Sequence, residues 1–230
     1  MVQILPTKSR IKGSTRDFVY QEIKNQIINL ELTPGEKILE KEIAEKLEVS
    51  RTPVREAFLK LAEEELIGIY PQSGTVVSKI DLDLVEEARF VRENIEKAVV
   101  KIACVQLNES DLFLFKKNLA LQELCLSKDT YQQLFKLDKE FHKILFESVG
   151  KSGIWKIVNK MNSHFDRLRL LRLTVNTDWE LLVSQHKEIF QAIVEKNEKL
   201  AGDLMEKHLK LVNFEKEEIK ATYPEYFNQN

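Results

Sequence analysis

The distribution of proline and glycine constrains the fold of this 230-residue chain more than any other feature. Four of the five prolines precede residue 72, and the fifth, Pro224, lies near the end. Between them, about 150 residues show nearly continuous helical spacing of apolar side chains, with short polar breaks. This pattern predicts a small, turn-rich unit followed by a larger, helical one.

The first eighty residues or so carry three short helical patterns and then two β-prone runs. The second and third helices are separated by a tight turn at 48–51, and we predict that the third begins with Thr52 as N-cap and Pro53 at the first helical position. The runs 66–70 and 75–78 surround a Pro/Gly turn and predict a hairpin. The apolar positions of the three helices are Val19, Ile23, Ile27 and Leu30, then Ile43, Ala44 and Leu47, then Val54, Ala57, Phe58 and Leu61. This order predicts a winged helix-turn-helix, whose third helix can enter the major groove of DNA by its N-terminal end.

The rest of the chain is predicted to be an all-α helical bundle, so the fold class is mainly α. A first stripe is formed by Leu84, Ala88, Val91, Ile95 and Ile102, and further helices are predicted at 109–127, 131–149, 153–174, 179–196 and 198–219. The domain boundaries we predict are a flexible N-terminus at 1–14, a DNA-binding domain at 15–79, a helical domain at 80–220 and a tail at 221–230. The segment 78–83 is expected to act as the hinge.

Composition narrows the class of protein and its compartment. The net charge of −2 does not indicate a nucleic-acid binder, so any DNA site must depend on local placement of Arg and Lys. No apolar run approaches the length of a membrane span, and residues 1–13 lack the apolar core of a secretory signal. Cys104 and Cys125 lie in helical patterns and fit reduced core cysteines of a cytoplasmic protein.

Five polar residues in the helical part are in phase with apolar neighbours. Asp138 and His142 are four residues apart and share a face with Leu134 and Leu145. His186 and His208 lie on inward faces of two later helices, and His164 is in phase with Ile157, Met161 and Leu168. A single inward histidine is more often a satisfied core residue than a ligand. One carboxylate and three imidazoles from three helices, however, form a donor set suited to a divalent cation.

The first domain resembles the DNA-binding domain of the GntR family of bacterial regulators. The resemblance is carried by residues 34–38, by 42–47, by the run 49–57 and by a glycine in the wing. It implies that DNA is contacted by Lys41, Ser50, Arg51, Thr52, Arg55 and Gly74. An arginine at a helix N-terminus can read guanine or hold a phosphate. The alternative is that Arg51 and Arg55 pair with Glu48 or Glu56 on a solvated face.

The helical part resembles the FadR-type effector domain, called FCD, so that the likeness covers about residues 15 to 215. It is carried by the run 138–142, by Gln185-His186 and by Lys207-His208. It implies a metal held by Asp138, His142, His186 and His208, with His164 outside the ligand set. It also implies that Arg92 meets the carboxylate of an effector, the alternative being a surface pair of Arg92 with Glu96.

These observations predict a cytoplasmic homodimer that binds a palindromic DNA operator as a repressor. A small organic acid is expected to bind at a divalent metal ion, zinc first and nickel or manganese next, and to change operator binding. We expect no enzyme activity and no membrane partner. The alternatives are a metal-responsive repressor, with the ion itself as effector, and a metallohydrolase that uses Asp138 and the histidines around an activated water. The pattern contains no obvious general base for the hydrolase, although Glu140 is nearby in sequence.

Overall fold

The computed structural model of the protein describes residues 14–71, 74–126, 130–175 and 179–228, with side chains 212–215 excepted. The chain divides into two compact units, the first ending at Ser78 and the second beginning at Lys79. The predicted flexible N-terminus lies outside the described residues except for Ser14. The Ser14 side chain accepts a hydrogen bond from the amide of Asp17 and caps the first helix.

The first unit is the predicted winged helix-turn-helix. It consists of α1 (Thr15–Ile28), β1 (Lys37–Ile38), α2 (Glu40–Lys46), α3 (Arg51–Glu63), β2 (Ile67–Tyr70) and β3 (Gly74–Val77). The strands form an antiparallel sheet in the order β1-β3-β2. We did not predict β1, because two residues are too few to show the alternation of a strand. The predicted apolar positions of α1 and α3 are buried, except that Leu30 follows the end of α1 with φ +59°.

Helix α3 begins earlier than predicted. Ser50 is the residue that precedes the helix, so Thr52 and Pro53 lie inside the first turn. Since the first amides of a helix have no partner within it, the missing N–H of Pro53 costs nothing at this position. The Ser50 side chain makes no capping hydrogen bond in α3, and its hydroxyl is therefore not committed to the helix.

The second unit is an all-α bundle, as predicted. Its helices are α4 (Leu82–Gln106), α5 (Glu109–Leu126), α6 (Tyr131–Ser148), α7 (Ser152–Met161), α8 (Ser163–Val175), α9 (Trp179–Val194) and α10 (Glu198–Thr222), followed by a 3-10 turn (Pro224–Tyr226). The apolar core lies between α4, α5, α6, α7, α9 and α10 and includes Phe115, Phe141, Phe146 and Met205. Within the described ranges, no helix combines the length and the apolar character needed to cross a bilayer.

The single helix predicted at 153–174 is wrong, because α7 and α8 are separate helices with Asn162 between them. Apolar spacing that continues across a break does not mark one continuous face. Ile157 and Met161 are 60% and 43% exposed, whereas His164 and Leu168, beyond the break, are buried.

The buried face of α4 is rotated relative to the predicted stripe. Ala88 is buried as expected, but the same face also carries Arg92 and Glu96, which are 1% and 0% exposed. The sequence left two interpretations open, Arg92 as an effector contact or Arg92 paired with Glu96 on the surface. Their burial means that the core of the second unit contains ionic groups that require partners.

The chain that leads into α4 is fastened within the second unit. The amide of Ile80 donates to the carbonyl of Tyr226 at 2.7 Å, and the amide of Asn228 donates to the carbonyl of Ile80 at 3.2 Å. The amide of Asp81 donates to Nδ1 of His164 at 3.0 Å. Two residues of the predicted hinge are thus tied to α8 and to the C-terminal segment.

Candidate metal centre

The structure brings the four sequence-predicted ligands together. Asp138 and His142 lie one helical turn apart on α6, His186 lies on α9 and His208 on α10. All four are buried, and one ligand atom from each lies within 4.8 Å of those of the others. Residues far apart in sequence therefore present one carboxylate oxygen and three ring nitrogens to a common point.

The three imidazoles converge through their Nε2 atoms. Nε2 of His208 lies 3.2 Å from Nε2 of His186 and 3.2 Å from Nε2 of His142. The nearer carboxylate oxygen of Asp138 lies 3.7 Å from Nε2 of His186. For metal–nitrogen bonds of about 2.0–2.1 Å, neighbouring ligand atoms lie about 2.9–3.4 Å apart at bond angles between about 90° and 109°. The 3.2 Å spacing of the imidazole nitrogens therefore matches the edge of a metal coordination shell, and the Asp138 oxygen lies slightly farther away.

Each imidazole has its other nitrogen occupied by an oxygen acceptor. Nδ1 of His142 lies 2.5 Å from a carboxylate oxygen of Glu96, Nδ1 of His186 lies 2.8 Å from Oε1 of Gln122, and Nδ1 of His208 lies 3.0 Å from Oε1 of Gln185. In each case Nδ1 must carry the proton that is donated. The lone pairs of all three Nε2 atoms then face one another, which is repulsive unless a cation binds between them. The donor set therefore fits a divalent metal ion.

Sequence reasoning missed these supporting residues. Glu96 was considered only as a possible surface partner of Arg92, Gln122 was not considered, and Gln185 served only as part of a resemblance. Gln122 repeats the helical spacing of Phe115 and Leu119 on α5, so an inward polar residue could have been recognised there. Its partner could not, because α5 and α9 are brought together only by the fold.

Burial keeps the histidines neutral, the form in which imidazole binds a metal. It lowers the pKa of His186 and His208 well below the usual value, and the neighbouring histidines and arginines lower both further. Burial also lowers the pKa of His142, although the carboxylate of Glu96 opposes this. Burial alone would raise the pKa of Glu96, but Arg92 and His142 outweigh it and bring the value to about 2.

We expect acid to destabilise the metal-free protein over the pH range in which free histidine titrates. An unfolded chain takes up protons on these histidines near pH 6.5, whereas the folded chain resists them. The contribution of these histidines to the free energy of unfolding is therefore fully present above that pH. It falls as the pH drops towards their lowered pKa values in the folded chain. Thermal unfolding of chelator-treated protein at about pH 7.5 and about pH 5.5 measures this. His186→Gln should show a smaller fall, and an unfolding temperature that rises on acidification would contradict the account.

A small cavity adjoins the centre. It measures about 20 Å³ and is lined by Phe135, Asp138, Phe165, Arg169, Arg172 and His208, among others. That volume holds about one water molecule. A carboxylate oxygen of Asp138 contacts the guanidinium of Arg169, which also bonds to Asp166 at 3.3 Å. Two guanidinium groups and one carboxylate thus line the cavity, and Arg169 is shared between Asp138 and Asp166.

Arg92, the predicted effector contact, is buried beside the centre. Its Nε donates to Glu96 at 2.5 Å, so the pair exists, but in the interior rather than on the surface. The guanidinium carbon of Arg92 lies 5.2 Å from the ring centre of Phe165, which lines the cavity. Its two terminal nitrogens have no hydrogen-bond partner among the described residues. Buried donors of this kind are costly unless an acceptor reaches them.

Two further residues considered from the sequence lie elsewhere. His164 is buried on α8 and accepts hydrogen bonds at Nδ1 from the amide of Asp81 and from Arg167 at 3.1 Å. It is not a member of the convergent cluster. Glu140, the carboxylate nearby in sequence that was weighed for the metallohydrolase alternative, has a 47% exposed side chain that pairs with Lys143.

The predicted DNA contacts lie in the first unit. Ser50, Arg51, Thr52 and Arg55 are exposed around the N-terminus of α3, and Lys41 is exposed on α2, where it lies 3.8 Å from Glu45. Glu48 and Glu56, the alternative partners considered from the sequence, form no ion pair with Arg51 or Arg55 within the described part of the chain. Gly74 is exposed at the start of β3 with φ +94°.

Together, a winged helix-turn-helix and a helical unit with a buried polar centre define a class: DNA-binding transcription regulators with a separate sensory domain. Comparison of the chain with protein families gives the same class in two parts. Residues 15–77 match the model of bacterial regulatory proteins of the gntR family, and residues 87–211 match the FCD domain. The chain therefore belongs to the GntR family and carries an FCD effector-binding domain.

Individual relatives agree. An HTH-type transcriptional regulator from an unstable DNA locus of Streptomyces ambofaciens is 35% identical over 215 residues, covering 93% of this chain and 90% of the relative. The HTH-type transcriptional repressor RspR of Escherichia coli K12 is 30% identical over 211 residues, covering 92% of each. These relatives are transcription regulators rather than enzymes, as we predicted for this chain.

Solved structures show the same fold. Escherichia coli McbR/YncC superimposes with a TM-score of 0.79 at 18% identity, over 92% of this chain and 99% of that one. A GntR regulator from Rhodococcus sp. RHA1 gives a TM-score of 0.75 at 22% identity, over 92% and 100%. At such identities the likeness concerns the fold alone.

Proposed function

We propose that the protein is a dimeric repressor whose operator affinity is changed by a small carboxylic acid bound at a divalent metal ion. The unit ending at Ser78 binds DNA, and the unit beginning at Lys79 holds the ion through Asp138, His142, His186 and His208. One observation carries the proposal: three Nε2 atoms, each on a ring whose Nδ1 is engaged by an acceptor, converge at 3.2 Å spacing. A repressor role is supported by the relative RspR, which is described as a repressor.

The donor set points to a particular group of metals. Three imidazole nitrogens and one carboxylate oxygen suit zinc, with nickel or manganese as the next choices. When bound, the ion supplies a positive charge that can hold a carboxylate. A ligand acid would have to raise the coordination number above four, as zinc sites do when they expand to five.

The surroundings of the centre support an anionic effector. Arg169 and Arg172 line the adjoining cavity, and the terminal nitrogens of Arg92 lack an acceptor in the described structure. The positive charge of an ion would add to these groups. A carboxylate could neutralise part of this charge while accepting hydrogen bonds from the guanidinium groups.

The size of the cavity supports coupling to the rest of the protein. A cavity of about 20 Å³ holds about one water molecule, so we expect the side chains or helices around it to move when an acid binds. Helix α8 contributes Phe165, Arg169 and Arg172 to the lining, and its His164 holds the amide of Asp81. Movement of α8 would therefore reach the residues that lead into the second unit.

Surface features support the remaining parts of the proposal. The exposed arginines at the N-terminus of α3 suit base or phosphate contacts in the major groove. On α5, apolar side chains at helical spacing are exposed by 40–65%: Phe113, Leu114, Leu121 and Leu124. An exposed apolar face of this kind fits the contact between two copies of the chain.

Gly74→Val is expected to weaken operator binding by about tenfold. A Cβ at this position has nothing within 4 Å, so the added atoms have room within the chain itself. The cost comes from φ +94°, which a β-branched residue adopts poorly, and from bulk added where the wing approaches DNA. Fluorescence anisotropy with labelled operator measures the loss. Gly74→Asn, which tolerates positive φ better, should lose less, and equal affinity for Gly74→Val and the wild type would contradict the role of the wing.

Metal content tests the sensory half of the proposal. Wild-type protein reconstituted with zinc and freed of excess ion should carry one divalent ion per chain by elemental analysis. Binding should also raise the unfolding temperature, because an unfolded chain does not preserve the site. Absence of a stoichiometric ion after reconstitution with zinc, nickel and manganese in turn would overturn it.

A further inference from the structure

A hydrogen-bond chain behind His186 links two helices that carry metal-site residues. Gln122 on α5 is 0% exposed, and its Oε1 accepts from Nδ1 of His186 at 2.8 Å. Its Nε2 donates to Oδ1 of Asn118 at 2.6 Å. Nδ2 of Asn118, which is also buried, donates to the backbone carbonyl of Leu137 at 2.9 Å.

The direction of every bond in this chain follows from its last member. A backbone carbonyl only accepts hydrogen bonds, so the NH₂ group of Asn118 must face Leu137. Oδ1 of Asn118 then faces Gln122 and requires a donor, so the NH₂ group of Gln122 points towards Asn118. This leaves Oε1 of Gln122 facing the imidazole, and Nδ1 of His186 must carry the proton.

The consequence for His186 is a fixed tautomer. With its proton on Nδ1, the ring presents a bare lone pair at Nε2, which lies 3.2 Å from Nε2 of His208 and 3.7 Å from Asp138. The opposite tautomer would direct an N–H into the cluster and block coordination. Leu137 immediately precedes Asp138, so the carbonyl that sets the direction belongs to the α6 segment that also supplies two ligands.

Packing alone does not explain these two residues. Gln122 and Asn118 project from α5 beside Phe115 and Leu119, in a region otherwise filled by apolar side chains. A leucine or methionine would fill similar volume there without burying two amides, which have to be hydrogen-bonded at both ends.

We propose that Asn118 and Gln122 are positioning residues of the metal centre, which hold His186 as the Nδ1–H tautomer and fix its ring orientation. The metal-affinity part of this inference rests on the function proposed above, whereas the tautomer can be tested without any ion. Partners of this kind commonly change metal affinity by about 10- to 100-fold.

The first measurement is the ¹⁵N NMR spectrum of the imidazoles in chelator-treated protein. Wild-type His186 should show a protonated Nδ1 and an unprotonated Nε2. In Gln122→Met, where the acceptor is lost, the signals should shift towards the Nε2–H tautomer. Gln122→Glu retains an acceptor and should restore the wild-type pattern. Gln132→Met, an exposed glutamine on the next helix, serves as the matched control.

The second measurement is the dissociation constant for zinc alone, determined by competition with a chelator. Gln122→Met should raise it by about 10- to 100-fold, and Gln122→Glu, which keeps the acceptor for Nδ1 but loses the donor to Asn118, should raise it less. Asn118→Leu, which removes the anchor but leaves the acceptor, should lie between them.

The outcomes separate this inference from the proposed function. An unchanged tautomer in Gln122→Met overturns the positioning role, even if zinc affinity falls, because the loss would then reflect packing. A tautomer that shifts as expected supports the positioning role even if the wild type binds no metal, an outcome that would instead overturn the proposed function. Failure of Gln122→Glu to restore the Nδ1–H tautomer would also overturn the positioning role.

Discussion

Replacing both Arg51 and Arg55 by alanine is expected to abolish sequence-specific operator binding by a protein that still folds. Both side chains are exposed at the N-terminus of α3, so their removal disturbs no buried contact. A bidentate arginine–guanine contact contributes about 1–3 kcal/mol, and two such losses lower affinity by roughly 30- to 25,000-fold. Each single substitution should give part of the effect.

Fluorescence anisotropy at fixed salt concentration measures this loss, since phosphate contacts make affinity strongly dependent on salt. The matched control removes two cations elsewhere: Lys156 and Lys160, both exposed on α7, are replaced by alanine. That variant should bind the operator like the wild type. Unchanged operator affinity in the folded Arg51/Arg55 double variant would show that α3 is not the recognition helix.

Loss of either His186 or His208 is expected to remove both the metal ion and the response to effector. Each provides an Nε2 at the centre of the cluster, and no other described group can replace it at 3.2 Å from its neighbours. The stabilisation that a bound ion gives, about 2.7 kcal/mol at a hundredfold excess over Kd, should disappear with it. Operator binding without effector should persist, because α3 belongs to the other compact unit.

His164→Ala provides the contrast among the histidines. Its Nδ1 is engaged by the amide of Asp81, and it lies outside the convergent cluster, so the variant should retain the ion. Elemental analysis of all four histidine variants checks the assignment. Loss of metal from His164→Ala together with retention in His186→Ala would show that the ligand set is incorrect.

The fold was predictable from the sequence where periodicity and turn residues agree. The apolar positions of α1 and α3 and the wing strands were recognised, and the bundle followed from uninterrupted helical spacing. A helix boundary is not predictable where the break carries no helix-breaking residue: Asn162 separates α7 from α8 although neither proline nor glycine is present there. Strand β1 was also not predicted, because its pairing with β3 depends on the fold rather than on its two residues.

The candidate site divides in the same way. Asp138, His142, His186 and His208 could be placed on inward faces, since each is in phase with apolar neighbours on its own helix. Their partners depend on contacts between helices. Glu96 was considered only as a possible surface partner of Arg92, yet it is fully buried between Arg92 and His142, where it neutralises the first and orients the second. Helical periodicity cannot reveal such a role, since it predicts burial from the polarity of each residue and contains no information about contacts with other helices.

The most direct test of the central claim is the operator affinity of the full-length protein, measured with a panel of small carboxylic acids, once with zinc bound and once after removal of metal. The account predicts that at least one acid changes the affinity of the zinc-bound protein by about 5- to 150-fold and has no effect on the metal-free protein. It also predicts that zinc by itself leaves operator affinity nearly unchanged. An equal effect of the acid without metal, or a full change produced by zinc alone, would contradict it.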